Sequence, residues 1–215
     1  MLYTQRSDKT YSAADESELM RLIVDHPLAW IVSAGSGDVC ATLVPLRPVT
    51  GANDEMVALL GHFARSNPHV ELLRRQPEAI VLFLGPHAYV SPSWMQDRTL
   101  APTWNYVSAQ YVVEIELLSQ SSQLDEVITD LVGAMEKGRP QAWNASEMGA
   151  RYEKLAQGIV AFRAHLRSRR VKFKLGQDER PEVYPNIVSG LSAEGRDDIV
   201  EWMANANAHR NPRSR

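Results

Sequence analysis

From residue 28 to residue 118 short apolar runs alternate with tight turns, and this succession limits the fold more than any other feature of the chain. The runs are LAWIVS at 28–33, VCATLVPL at 39–46, MVALLGHF at 56–63, AIVLFL at 79–84, a shorter extended piece at 88–91 and a long segment at 104–118. Turn residues GSGD (35–38) and GAND (51–54) separate the early ones. Most of these strands follow one another by short turns, which argues against βαβ winding and for antiparallel pairing. Pro45 has no amide hydrogen, so its strand should lie at a sheet edge there or stop there. The spacing predicts helices at 12–25, capped by Ser12, and at 67–75, 123–137, 146–157, 181–191 and 194–205. Further strands are expected at 158–166 and 170–175, and a frayed end over 206–215. The fold class is mainly β with α (α+β): an antiparallel barrel with peripheral helices.

Composition narrows the function classes. Hydrophobic residues make up 44% of the 215, enough for a real core, and the formal net charge is -3, which does not favour unaided backbone binding to nucleic acid. The single cysteine, Cys40, precludes an intrachain disulfide and reads as a small buried hydrophobe, with a reactive thiol as the other reading. No apolar run approaches the ~20 residues of a membrane span. The N-terminus lacks the pattern of a secretory signal, so a cytoplasmic protein without a membrane partner is expected.

Three short segments concentrate polar groups, prolines and tryptophans: GHFARSNP (61–68), GPHAYVSPSW (85–94) and APTWNY (101–106). The first sets a strand end against a helix start. Ser66 or Asn67 can cap that helix and Pro68 suits its first turn. Free helix amides beside the forked cation of Arg65 make a phosphate seat; an ordinary capped helix with a solvated arginine is the other reading. His62 is either a hydrogen-bonded structural histidine or a cofactor contact. Ser93, Thr103 and Asn105 can bond a polar ring edge, and Trp94 and Trp104 can wall a flat ring, or the two segments are merely stiffened corners. No metal-ligand spacing, nucleophile elbow or carboxylate pair is present, so no metal site is expected and no catalytic residue is assigned. Arg170, Lys172 and Lys174 share one strand face, either solvated or turned to an anion.

Together with KFKLGQ (172–177), these segments in this order resemble the PaiB family of FMN-binding negative transcriptional regulators, over residues 1–191. Residues 192–215 read as a helical extension with a polar tail. The sequence departs from the family wording at Met95, at Ala109 and Gln110 in place of Val-His, and at Val171, Gly176 and Asp178. The resemblance implies an FMN-binding split β-barrel and a homodimer with FMN at the subunit interface. It places His62, Ala64, Arg65, Ser66 and Asn67 on the phosphate and ribityl side, with Trp104, Asn105, Lys174 and Gln177 approaching the cofactor. Ser93 and Thr103 join this set from the residue reading. The function implied is a negative transcriptional regulator or flavin-linked sensor, with DNA as a further partner. A flavin-dependent oxidoreductase acting on a small molecule, or a relative that has lost FMN, are the alternatives.

Overall fold

The computed structural model describes residue 11 and residues 15–35 and 39–208. Among these the strands are β1 (Leu28–Ala34), β2 (Val39–Pro45), β3 (Arg47–Thr50), β4 (Met56–Ala64), β5 (Glu78–Val90), β6 (Thr103–Leu117) and β7 (Ile159–Lys174). The helices are α1 (Glu16–Asp25), α2 (Pro68–Arg75), α3 (Ser121–Glu136), α4 (Arg151–Ala156), α5 (Tyr184–Ala193) and α6 (Asp197–Ala206). The strands form one antiparallel sheet in the order β2-β1-β5-β6-β7-β4-β3, so the architecture is mixed α and β, as expected. The chain divides into two compact units. One comprises Met1–Leu19, Leu84–Ala109 and Arg170–Arg215; the other comprises Met20–Phe83 and Gln110–Arg169.

In the second of these units, strand alternation builds the core. Ala29 and Ile31 of β1 point inward, where Leu59 and Phe63 of β4, Val81 of β5, Tyr111 and Val113 of β6 and Phe162 of β7 are also buried. Each such large side chain contributes roughly 1.5–3 kcal/mol on leaving water. Phe63 stacks on Phe162 with ring centroids 4.6 Å apart, and Phe83 meets Tyr111 edge-on. Antiparallel register sets Trp30 between Leu43 of β2 and Leu82 of β5. These three lie on the outward face, 48%, 46% and 38% exposed, so the sheet presents an apolar stripe to solvent. The first unit has its own core of Val107, Phe173, Leu175, Ile187, Leu191, Ile199, Trp202 and Met203, with Phe173 edge-on to Trp202.

Several elements differ from the sequence reading. The two expected strands at 79–84 and 88–91 are one strand, β5, continuous through Gly85 and Pro86. Both of those residues are buried, so the in–out alternation slips by one position there. The strands expected at 158–166 and 170–175 are likewise one, since backbone pairing carries β7 through its charged, exposed middle. β3 was not foreseen, because Pro48 masks a segment too short to show a pattern. The helix expected at 146–157 is a 3-10 turn (Ala145–Met148) followed by α4, interrupted at Gly149, whose φ of 53° leaves the helical region. Cys40 is half-buried rather than buried: β2 ends the strand order, and only Val44 is fully covered along it. That edge position is the one Pro45 called for. The Ser12 cap, residues 36–38 of the first turn and residues 209–215 lie outside the described residues.

Candidate functional site

The GHFARSNP segment closes β4 and opens α2, all within the second unit. Gly61 pairs with Phe162 across the β4–β7 ladder. A Cβ on Gly61 would stand 2.7 Å from Phe162 Cζ and from Leu46 Cδ2, so glycine makes room for the aromatic core. The ladder continues to the pair Ala64–Ile159, and the Arg65 amide then donates to Gly158 O at 2.8 Å. The Asn67 amide turns back to Ala64 O at 2.9 Å. Arg65 and Ser66 therefore form the exposed tip of a turn anchored at both ends.

Asn67 is the cap. Its Oδ1 accepts from the His69 amide at 2.9 Å, Pro68 occupies the first turn, and the Val70 amide donates to Asn67 O at 3.0 Å. This corrects one part of the sequence reading: the first-turn amides of α2 are already taken and are not free for an anion. Anion-binding capacity at this turn lies in the side chains of its tip. Arg65 donates through Nε to Gln157 O at 2.7 Å and through Nη2 to Ile159 O at 2.9 Å, which leaves further guanidinium N–H groups unspent. Arg65 also lines a cleft of about 720 Å³ together with Arg74, Leu118, Tyr152, Gln157 and Ile159. The Tyr152 hydroxyl donates to Asp125 at 2.5 Å; burial and that carboxylate push the phenol up to about 12. His62 is half-buried, and its Nδ1 is enclosed without a hydrogen-bond partner. Burial holds its pKa below the ordinary histidine value, so the ring is neutral near pH 7. Ala64 is exposed at the end of β4.

The remaining sequence-predicted residues belong to the first unit. Ser91 caps a 3-10 turn, Pro92–Trp94; its hydroxyl accepts from the Ser93 amide at 3.2 Å and meets the Ser93 hydroxyl at 2.7 Å. Trp94 packs directly on Gly190, where any side chain would collide with the indole. Trp104 is instead 52% exposed, and its ring lies 5.9 Å from that of Tyr89 and 6.4 Å from that of His87. An open aromatic surface results, with a different tryptophan from the one that braces the corner. Lys174 donates to the Thr103 hydroxyl. Asn105 is buried, with its amide on Met203 Sδ at 3.4 Å. Gln177 braces a turn: its Nε2 donates to Phe173 O at 2.6 Å and its Oε1 accepts from the Leu175 amide at 2.7 Å, around Gly176 with φ of 77°.

The structure thus joins Thr103 to Lys174, gathers residues 62–67 around one turn, and gives Asn105 and Gln177 internal partners. Of the basic strand residues, Lys172 lies over the Tyr11 ring, and Arg167 pairs with Glu114. Sequence reasoning missed Thr42, which contacts both Asn67 and His69. It also missed the Tyr152–Asp125 pair and the aromatic company of Trp104. The strands at 39–46 and 79–84 were expected, but not which elements they faced. Among the described residues no group of three or more His, Cys, Asp or Glu is arranged to hold a metal, and no helix is long and apolar enough to cross a membrane.

Comparison with known proteins gives these features a context. Residues 6–168 match the family described as "Putative FMN-binding domain". The "Protease synthase and sporulation protein PAI 2" of Bacillus subtilis (strain 168) is 28% identical over 190 residues, spanning 86% of this chain and 88% of that one. Among solved structures, the conserved hypothetical protein Rv2991 from Mycobacterium tuberculosis superposes with a TM-score of 0.57 at 12% identity, over 79% of this chain and 91% of its own. The FAD and heme binding protein from Mycobacterium smegmatis superposes with a TM-score of 0.56 at 15% identity, over 75% and 72%. At these identities the structural likeness establishes the split-barrel fold.

Proposed function

The chain belongs to this family of FMN-binding domains, and on that premise we propose that it is a PaiB-type flavin-linked sensor acting as a negative transcriptional regulator. FMN is the cofactor, and when bound it supplies the reversible redox chemistry that the side chains themselves do not offer. The observation that carries the reading is the Arg65–Ser66 tip, anchored at both ends and bearing unspent guanidinium N–H groups. A phosphate needs such donors, and the partnerless Nδ1 of His62 in the same motif is another polar atom awaiting a partner. An isoalloxazine needs a ring to lie against, and the exposed indole of Trp104, with Tyr89 edge-on beside it, offers one. The residues present therefore fit the group. In this reading His62, Ala64, Arg65 and Ser66 of one copy serve the phosphate and ribityl end, and Trp104, Thr103 and Lys174 serve the ring from the other copy.

The active form is a cytoplasmic homodimer that shares FMN between subunits. The support for a second copy is the Trp30–Leu43–Leu82 stripe, an apolar surface of a kind that soluble monomers seldom leave open. Residues 192–215 form an extension to the flavin-binding part.

The test is a spectrum with flavin stoichiometry on purified protein, followed by a mobility shift on its own upstream DNA across a salt series. A flavin spectrum with a salt-dependent, sequence-selective shift supports the regulator. Absence of any shift at low salt, with reduction by a nicotinamide dinucleotide and turnover of an acceptor, would make it an oxidoreductase instead.

A further inference from the structure

We propose that Thr42, Asn67 and His69 form a closed hydrogen-bonded ring whose task is to position the Arg65–Ser66 tip. The near end of that turn is held by the β4–β7 ladder. The far end is Asn67, and its side chain is fixed from both sides. Its Nδ2 donates to Thr42 Oγ1 at 3.2 Å and its Oδ1 accepts from the His69 amide at 2.9 Å. Thr42 Oγ1 lies 2.9 Å from His69 Nδ1, which closes the ring. One strand residue thereby grips both the cap and the second residue of a helix 27 positions away.

The cost of this arrangement is visible. His69 is fully buried, its Nε2 has no partner, and burial holds its pKa below the ordinary value. A buried polar atom left unpaired is unfavourable, and an apolar residue against Phe63 would avoid it. The imidazole is accounted for if its other nitrogen is needed to hold Thr42. Asn67 and His69 are then positioning residues. Holding the tip in one geometry before the anion arrives removes an ordering cost from binding.

The part of this inference that concerns FMN rests on the flavin reading above, and the experiment separates the two. Amide hydrogen exchange is measured on flavin-free protein, together with titrations of FMN and of riboflavin, which lacks the phosphate. Thr42→Val is expected to lower protection of the Asn67 amide, to weaken FMN about tenfold, and to leave riboflavin within about twofold. Thr42→Ser restores both. Asn67→Ser keeps the helix cap but loses the reach to Thr42; it is expected to behave like Thr42→Val, and it carries the test if that variant does not fold. Unchanged Asn67 protection, or an equal loss for both flavins, overturns the positioning role. Equal binding of FMN and riboflavin by the unaltered protein overturns the phosphate reading alone, because the exchange experiment still decides the ring.

Discussion

Replacing Arg65 with alanine separates the proposed phosphate contact from the structural tie that this side chain makes. The tie consists of bonds to Gln157 O and Ile159 O. The residue is exposed, so water replaces much of what is lost, and the expected stability cost is only about 1 kcal/mol. A charge-assisted phosphate contact would contribute ~1.5–3 kcal/mol in favourable geometry. Solvent screening places it at the lower end, about tenfold in Kd at physiological salt and more at low salt. Arg65→Lys keeps the charge but cannot fork between two carbonyls and an anion, so an intermediate loss is expected. Fluorescence titration of flavin-free protein with FMN and riboflavin, at two salt concentrations, reads the effect. The expected pattern is a salt-sensitive loss for FMN and little change for riboflavin. Unaltered FMN affinity in Arg65→Ala, or the same loss for both flavins, refutes the phosphate role.

Three other outcomes are expected. Trp30→Glu sets a charge in the middle of the exposed stripe without touching the core; light scattering should find a monomer that releases FMN, a monomer that retains flavin would contradict the shared site, and an intact dimer would contradict the stripe as its interface. Gly61→Ala forces Phe162 and Leu46 apart and should cost about 1–3 kcal/mol, seen as a lowered thermal midpoint. His62 and His69 both have folded pKa values below the unfolded 6.5. Between the two values the unfolded chain binds more protons, so their contribution is full above the unfolded pKa and is lost as pH falls beneath it. Denaturant midpoints measured from about pH 7.5 down to about pH 5 should decline, and less so in a His69→Gln variant; a flat profile would sink this assignment.

Much of the scaffold was legible because half-buried strands declare themselves by alternation. LAWIVS and MVALLGHF fold as the strands their patterns require. Where the signal failed, a local feature hid a longer-range one. Gly85-Pro86 reads as a turn, yet neighbouring strands hold the backbone extended through it. The charged HLRSRR stretch of β7 has no inward face of its own, and its ladder with β4 begins before it. Within the site, the Asn67 cap and the glycine before His62 follow from short-range rules. The role of Thr42 does not, since it depends on which face of β2 meets α2, a matter of tertiary register. Nor could a sequence show that Trp94 is packed against Gly190 while Trp104 stands open; both sit beside proline and polar neighbours, and only packing tells them apart.

The slip at Gly85 and Pro86 acts on β5 as an inserted letter acts on a reading frame. Before it, the even-numbered Ile80, Leu82 and Leu84 face outward; after it, the odd-numbered His87 and Tyr89 do. Deleting Pro86 alone would restore a single parity along the strand. It would leave His87 and Tyr89 outward beside Trp104 and Ala88 and Val90 inward, because the residue removed is the second of two consecutive inward ones. A one-residue deletion elsewhere in the strand would instead reverse every side chain that follows it, so β5 can lose a residue without reversing its faces only at the slip.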